Sequence, residues 1–199
     1  VSAQIADLDG DKTQDVAFLF GQDREEVIVY RRRPNGQYRS KRVFSAENPL
    51  WGSTILRSAD IDNDGDMDCF ILNHGSGTSK LLENNGSGEF TDISASAGLG
   101  GINYFGIQAL FRDFDNDTFV DLLVTATNLG GSAATYRLYR NNGDKSFSRV
   151  PNVLSVSGGS PVSHLHSCAV GDFNHDGFVD IFGGRGTVYN EPSDEDRDL

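Results

Sequence analysis

Residues 59–72 read ADIDNDGDMDCFIL. Asp60, Asp62, Asp64, Asp66 and Asp68 fall within nine residues, and an apolar run follows at once. Carboxylates this close repel one another and do not enter a core unpaired. The stretch therefore demands a cation or full exposure to water.

It is one of four. DLDGDKTQD spans residues 7–15, DIDNDGDMD 60–68, DFDNDTFVD 113–121 and DFNHDGFVD 172–180, with starts 53, 53 and 59 residues apart. A repeat at near-constant spacing is an architecture, not a composition bias. A short apolar stretch precedes each loop (VSAQIA, STILRSA, GIQALFR, HSCAVG) and another follows it (VAFLF, CFILN, LLVTA, IFGG). Both sets are rich in Val, Ile, Leu and Phe and are bounded by turn residues, so they predict strands. VIVYRRRPNGQY, KLLENNGSGEF and YRLYRNNGDKSF then predict a strand, an Asn-Gly turn that exploits positive φ, and a further strand. Only SASAGL (94–99) suggests a helical turn.

Four strands in a unit of roughly 50 residues predict an all-β fold of propeller blades, with the acidic loop joining strands one and two. The blades fall at about 1–50, 51–103, 104–163 and 164–190, the last incomplete, and the charged stretch EPSDEDRDL (191–199) is expected to be a disordered tail. Three and a half blades suggest part of a larger ring of roughly six to eight rather than a four-bladed ring. The opening VSAQIADLDG carries no Met and no signal peptide, as a mature or partial chain would.

Composition narrows the function. Of 199 residues 37% are hydrophobic and 23 are glycine, which suits a turn-rich β protein. No apolar run approaches the roughly 20 residues of a membrane span. A formal charge of −12 argues against nucleic acid or an anionic membrane as main partner. Cys69 and Cys168 lie in apolar stretches and read as buried free thiols.

Acidic or amide side chains occupy positions 1, 3, 5 and 9 of every loop: Asp7, Asp9, Asp11 and Asp15; Asp60, Asp62, Asp64 and Asp68; Asp113, Asp115, Asp117 and Asp121; Asp172, Asn174, Asp176 and Asp180. Oxygen-only sets dominated by carboxylates select hard cations, and calcium accepts irregular geometry better than magnesium. Zinc would want His or Cys at ligand spacing. An EF-hand would need Glu at position 12, where Phe18, Ile71, Val124 and Gly183 stand instead. Sixteen of the 29 acidic residues lie in the four loops, and four calcium ions would move the formal charge from −12 to −4.

The pattern Asp-x-Asp-x-Asp-Gly-x-x-Asp between strands resembles the FG-GAP/VCBS repeat of integrin α-type propellers. LLENNGSGEFTDISASAGL and LYRNNGDKSF are similar to the ASPIC/UnbV, cartilage-acidic-protein type. The resemblance implies calcium in each loop, bound by side chains 1, 3, 5 and 9 and by the carbonyl at position 7: Thr13, Asp66, Phe119 and Phe178. Position 6 is Gly65 and Gly177 in loops two and four but Lys12 and Thr118 in loops one and three, and glycine there eases the turn. Loop one carries Gly10 two places early, so a differently built turn is expected. Loop two should bind best, then four and three, then one.

Elsewhere chemistry is sparse. His164 and His166 could bind a metal, line a channel, or be polar rim residues; His175 sits at a non-ligand position and His74 in a turn. Trp51–Gly52 and Phe105–Gly106 suggest packing between blades. RRRPNGQYRSKR (31–42), with six of the 17 basic residues, reads as a protective sheet edge or as a docking patch for an acidic partner. Asn85-Gly86-Ser87 is a glycosylation sequon; Asn116-Asp117-Thr118 is another inside a metal loop. These features point to a non-enzymatic, calcium-stabilised scaffold for protein interaction or adhesion, or an accessory subunit of a membrane-associated complex. An extracytoplasmic location (secreted, cell surface or organelle lumen) would supply millimolar calcium. An enzyme using a central channel with His164 and His166, and a glycan-binding module, are the alternatives.

Overall fold

The computed structural model describes residues 2–21, 25–46, 53–73, 77–102, 105–127, 135–151 and 165–185. These hold strands and turns but no α-helix. The first sheet is β1 (Ser2–Ala6), β2 (Asp15–Phe20), β3 (Glu26–Arg32) and β4 (Tyr38–Ser45). The second is β5 (Ser53–Ala59), β6 (Asp68–Asn73), β7 (Lys80–Asn84) and β8 (Phe90–Asp92). The third is β9 (Phe105–Arg112), β10 (Asp121–Thr127), β11 (Thr135–Asn141) and β12 (Phe147–Val150). β13 (Leu165–Gly171) and β14 (Asp180–Arg185) form a two-stranded fourth sheet. Every neighbour pair is antiparallel and every sheet is an uncrossed meander. This is a partial β-propeller.

The repeat produces this because each acidic loop closes a hairpin between the first and second strand. Register is fixed at its mouth, where Ala6 faces Asp15, Ala59 faces Asp68, Arg112 faces Asp121 and Gly171 faces Asp180. The second hairpins turn differently from the sequence expectation. Their loops are residues 33–37, 85–89 and 142–146, closed by N–H to carbonyl bonds from Arg33 to Gln37, Asn85 to Glu89 and Asn142 to Ser146. In place of both residues of each Asn-Gly pair, only the glycine of the pair, Gly36, Gly86 or Gly143, takes positive φ; Gly88 and Lys145 take it further along their loops. Asn35 and Asn85 instead accept N–H groups two residues ahead on their side-chain oxygens. SASAGL forms a single turn, with Ala97 bonded to Ile93 and Leu99 to Ser94.

The core lies between sheets. All six residues of β6 are buried. Cys69 and Ile71 pack with Leu8, Leu19 and Val29 of sheet one, whereas Phe70 and Leu72 pack with Leu122 and Val124 of sheet three. A strand covered on both faces has no need to alternate, which is why DCFIL reads as a continuous apolar run. β2 is covered on one face only and alternates, with Ala17 and Leu19 fully buried and Val16, Phe18 and Phe20 half-buried. On the fourth sheet Phe182 is 68% exposed, although its counterparts Ala17, Phe70 and Leu123 are at most 1% exposed. That sheet shows openly the face by which the other three pack.

First strands of successive sheets lie side by side. Leu56 donates to Ser2 Oγ at 3.2 Å, Arg57 Nε to the Ala109 carbonyl at 2.9 Å, and Gln108 Nε2 to the Cys168 carbonyl at 3.0 Å. Gly106 sits where β9 meets sheet two: a Cβ there would lie 2.3 Å from Leu72 Cγ and 2.7 Å from the Asn73 carbonyl. This is the packing that the aromatic–glycine step suggested. Trp51, Gly52 and the Phe105 side chain lie outside the described residues, as do His74, His164, the His166 side chain and residues 186–199. Both cysteines are free, but only Cys69 is buried; Cys168 is half-buried because it lies on the uncovered fourth sheet.

Candidate metal centres

Each acidic loop folds around its first aspartate. Asp60 accepts the Asp64 N–H on Oδ1 at 3.2 Å and the Gly65 N–H on Oδ2 at 3.0 Å. Asp113 holds the N–H groups of Asp117 and Thr118 in the same way, and Asp172 those of Asp176 and Gly177. Asp7 holds Gly10 and Lys12. Positive φ recurs at positions 4 and 6 of all four loops: Gly10 and Lys12, Asn63 and Gly65, Asn116 and Thr118, His175 and Gly177. Loop one therefore has the same two left-handed positions as the others, and the difference expected of it is confined to one donor. Gly10 fills a left-handed position that Asn63, Asn116 and His175 fill elsewhere, and it replaces position 5 as donor to the first aspartate. Asn and His tolerate this region better than most residues, whereas Thr118, β-branched at φ 81°, is strained there.

The ninth-position aspartate ties the loop to the sheet. Asp68 is 2% exposed; Oδ2 accepts the Ile61 N–H at 3.0 Å and Oδ1 the Asn84 N–H at 2.8 Å. Asp15 takes Leu8 and Arg32, and Asp121 takes Phe114 and Asn141, with both carboxylates buried. Asp180 takes Phe173. One carboxylate thus links the loop, the second strand and the third strand.

Positions 1, 3 and 9 converge. In Asp7, Asp9 and Asp15, in Asp60, Asp62 and Asp68, and in Asp113, Asp115 and Asp121, one oxygen from each lies within 4.8 Å of the others. Position 5 is not part of these clusters; Asp11, Asp64, Asp117 and Asp176 each accept the N–H of position 7 instead, at Thr13, Asp66, Phe119 and Phe178. In loop four Asn174 stands at position 3 and bonds Asp176 at 3.0 Å.

The electrostatics fit a hard cation. Burial pushes Asp68 up to about 7 against the N–H bonds from Asn84 and Ile61, and raises Asp15 and Asp121 as well. Burial and then repulsion from Asp64, Asp62, Asp60 and Glu83 push Asp66 up to about 6. Asp9 Oδ1 and Asp66 Oδ1 are buried without a hydrogen-bond partner. A divalent ion would satisfy such oxygens and reverse the cost of burying charge. Asp9 and Asp62 each also face a basic side chain: Arg31 Nε lies 3.7 Å from Asp9, and Lys145 Nζ 2.7 Å from Asp62.

Two functional residues escaped the sequence reading. Asn84 and Asn141, 1% and 0% exposed, end the third strands. Asn84 Nδ2 donates to the Leu8 carbonyl of the preceding loop and the Met67 carbonyl of its own, while Oδ1 accepts the Gly88 N–H. Asn141 does the same with Ile61, Val120 and Gly143. Each asparagine clamps two successive acidic loops. The signal was the doubled asparagine in ENNG and RNNG, since a turn needs only the second.

The basic stretch 31–42 is partly spoken for. Arg31 bonds the Gly88 carbonyl and faces Asp9, Lys41 pairs with Glu89 across the sheet junction, and Arg42 pairs with Glu26; Arg32, Arg33 and Arg39 are exposed.

A family model described as the FG-GAP-like repeat matches residues 7–71, 60–124 and 113–183, each match running from one acidic loop through the next. The chain belongs to the FG-GAP-like repeat family. No curated protein matches it in sequence. Among solved structures, an Agrocybe aegerita lectin described by its specific recognition of non-reducing terminal N-acetylglucosamine is similar, with 24% identity and a TM-score of 0.60. The similarity covers 90% of this chain and 45% of the lectin chain, so this chain spans less than half the length of that relative.

Proposed function

We propose that this chain of FG-GAP-like repeats is a calcium-stabilised segment of a propeller that serves as a protein-interaction or adhesion scaffold, or as an accessory subunit on the extracytoplasmic side of a membrane-associated complex. The observation that carries the reading is the convergence of positions 1, 3 and 9 in three successive loops, with buried, unpartnered oxygens on Asp9 and Asp66. Calcium suits such oxygen-only sites, and sites of this kind fill where calcium is millimolar, which supports an extracytoplasmic location. Asp7, Asp9 and Asp15, their equivalents in loops two and three, and Asp172, Asn174, Asp176 and Asp180 would hold the ions. When bound, the ions supply charge neutralisation and stiffen the junctions; surfaces on the rigid blades would do the recognising.

Other inferences follow from the same frame. The exposed faces of the first and fourth sheets are where further blades of a ring would dock. The doubled asparagine hairpins support the ASPIC/UnbV type within the family.

Calcium titration by calorimetry, with melting curves in calcium and in chelator, tests the reading. Binding of up to four ions with a higher melting temperature supports it; no binding and no shift removes the calcium assignment. Glycan binding is the second reading, favoured by the fold shared with a lectin. Phe173, Phe178 and Phe182 are exposed, but Phe173 and Phe182 stand at positions that the other sheets largely cover, so they suit blade packing better than sugar stacking. A glycan array including terminal N-acetylglucosamine separates the two readings.

A further inference from the structure

We propose that the protein carries its own counter-ion for the aspartate at position 3 of each of the first three loops, and that these cations set how strongly each loop takes calcium. The inference rests on the reading that the loops bind calcium, and deepens it. In loop one the cation is Arg31, in loop two Lys145 and in loop three Arg140.

The cations reach equivalent points by different routes. Arg31 precedes Arg32, whose N–H bonds Asp15; Arg140 precedes Asn141, whose N–H bonds Asp121. Both sit at the same place on a third strand. The matching residue of sheet two is Glu83, the wrong sign for Asp62. There the cation comes from the neighbouring sheet: Lys145 Nζ lies 2.7 Å from Asp62 Oδ2 and also pairs with Glu83. Lys145 is the fourth residue after Asn141, and the fourth after Asn84 is Gly88. A side chain at Gly88 would collide with Arg31, since a Cβ would lie 1.8 Å from Nη2, and the Gly88 carbonyl accepts that nitrogen at 2.7 Å. So in loop one, where the third strand supplies the cation, the facing hairpin has glycine. Where the third strand supplies an acid, the facing hairpin supplies the cation. A charge held in space while its source moves between sheets is not what chance surface pairing produces.

The three loops are compensated unequally. Arg140 grips two loop residues, Asp115 through Nε at 2.6 Å and Asp117 through Nη2 at 3.1 Å. Lys145 touches only Asp62 among the loop ligands, and loop two adds the carboxylates of Asp66 and Glu83. Arg31 is 3.7 Å from Asp9, whose other oxygen has no partner. A calcium ion must displace or tolerate the resident cation, so loop two binds most tightly and loop three least tightly of these.

Calcium titration of the full chain tests this, comparing the natural protein with Lys145→Gln, Arg140→Gln, Lys145→Gly and the swap Glu83→Arg with Lys145→Gly. Lys145→Gln and Arg140→Gln should each tighten one site roughly five- to tenfold, since each removes a positive charge a few ångströms from a divalent ion in a partly solvated site. Each should also lower the melting temperature in chelator, with the loss recovered in saturating calcium. The swap, which copies loop one, should restore the chelator melting temperature that Lys145→Gly alone lowers. Unchanged affinity in both glutamine variants overturns the inference while leaving calcium binding intact. If the natural protein binds no calcium but the glutamine variants do, the counter-ion inference stands and the reading that the natural loops are filled fails. If no form binds, both fall.

Discussion

Replacing Asn141 with alanine should be among the most damaging single changes in this protein, although its side chain bonds only backbone groups. The side chain donates to the Ile61 carbonyl at 2.7 Å and the Val120 carbonyl at 3.1 Å, and accepts the Gly143 N–H at 3.0 Å. The residue is 0% exposed. Truncation leaves the buried Ile61 carbonyl and two part-buried groups, the Val120 carbonyl and the Gly143 N–H, without that partner. Each such group costs about 1–3 kcal/mol, and the carbonyls, with a second lone pair each, fall at the low end. With two of the three groups partly open to water, a total of about 2–4 kcal/mol follows, or a melting temperature lower by roughly 5–10 °C for a domain of this size. Asn63→Gly, which keeps the positive φ of 59° without strain, is the matched control: Asn63 Nδ2 also crosses to a neighbouring loop, donating to the Thr118 carbonyl at 3.2 Å, but it is exposed and its loss should cost less than about 1 kcal/mol. Urea unfolding of both variants decides the matter. If Asn141→Ala lies within about 1 kcal/mol of Asn63→Gly, the clamp is not a clamp, and the junction is held by the apolar core alone.

Thr118→Gly should stabilise the protein by about 0.5–1 kcal/mol, because the relief of left-handed strain exceeds the added chain entropy of glycine; a melting temperature no higher than that of the natural protein refutes the strain. Gly106→Ala should destabilise by about 1–3 kcal/mol, since its Cβ lands 2.3 Å from Leu72 Cγ and 2.7 Å from a backbone oxygen, and a neutral result in thermal melting would mean that the junction yields more readily than a packed core does. The pH response should invert with calcium. With Asp66 raised to about 6 and Asp68 to about 7, the folded, calcium-free chain holds more protons than the unfolded chain between about pH 4 and 7. This contribution to stability is present below the unfolded pKa and is lost as pH rises through that window. Calcium bound as proposed would expel those protons, so its stabilising effect should grow from pH 5 to 7.5, and binding heats at pH 6 should vary with the ionisation enthalpy of the buffer; heats independent of buffer would show that no proton is released.

Much of this architecture was legible because the repeat states it four times. The acidic motif fixes the first hairpin, and the apolar runs on either side have no other use than strands. What the sequence hid lies between repeats. Asn84 and Asn141 read as turn residues because a period-by-period reading places each residue in its own unit, whereas their amide groups reach into the unit before. Lys145 and Glu83 were equally opaque: neither belongs to the acidic motif, and they face Asp62 only once two sheets pack. The expectation that loop one turns differently held for one donor alone, for a related reason. Gly10 looked misplaced against a motif with one glycine, but the loop has two left-handed positions, and the other repeats fill the first with Asn or His. Cys168 looked as buried as Cys69, and is not, because burial depends on whether a sheet covers that face.

The crowding of charge against the apolar strand at residues 59–72 has a physical resolution that does not begin with calcium. Asp60 bonds two backbone N–H groups of its own loop, Asp68 bonds one from the loop and one from the third strand, and Asp64 bonds that of Asp66. These carboxylates act first as acceptors for amides that a tight loop would otherwise leave unpaired. The loop shape is thus written into backbone hydrogen bonds that these carboxylates accept. The charge is not thereby neutralised: Lys145 meets Asp62, but Asp66 Oδ1 stays buried and unpartnered. Shape and charge are separate problems, solved by different groups. It follows that removing calcium should lower the stability of the folded protein without collapsing its blades, so that far-ultraviolet circular dichroism in chelator at 20 °C should retain the β spectrum. Loss of that spectrum in chelator would mean that the amide bonds alone do not hold the loops, and that the ion shapes them as well as neutralising them.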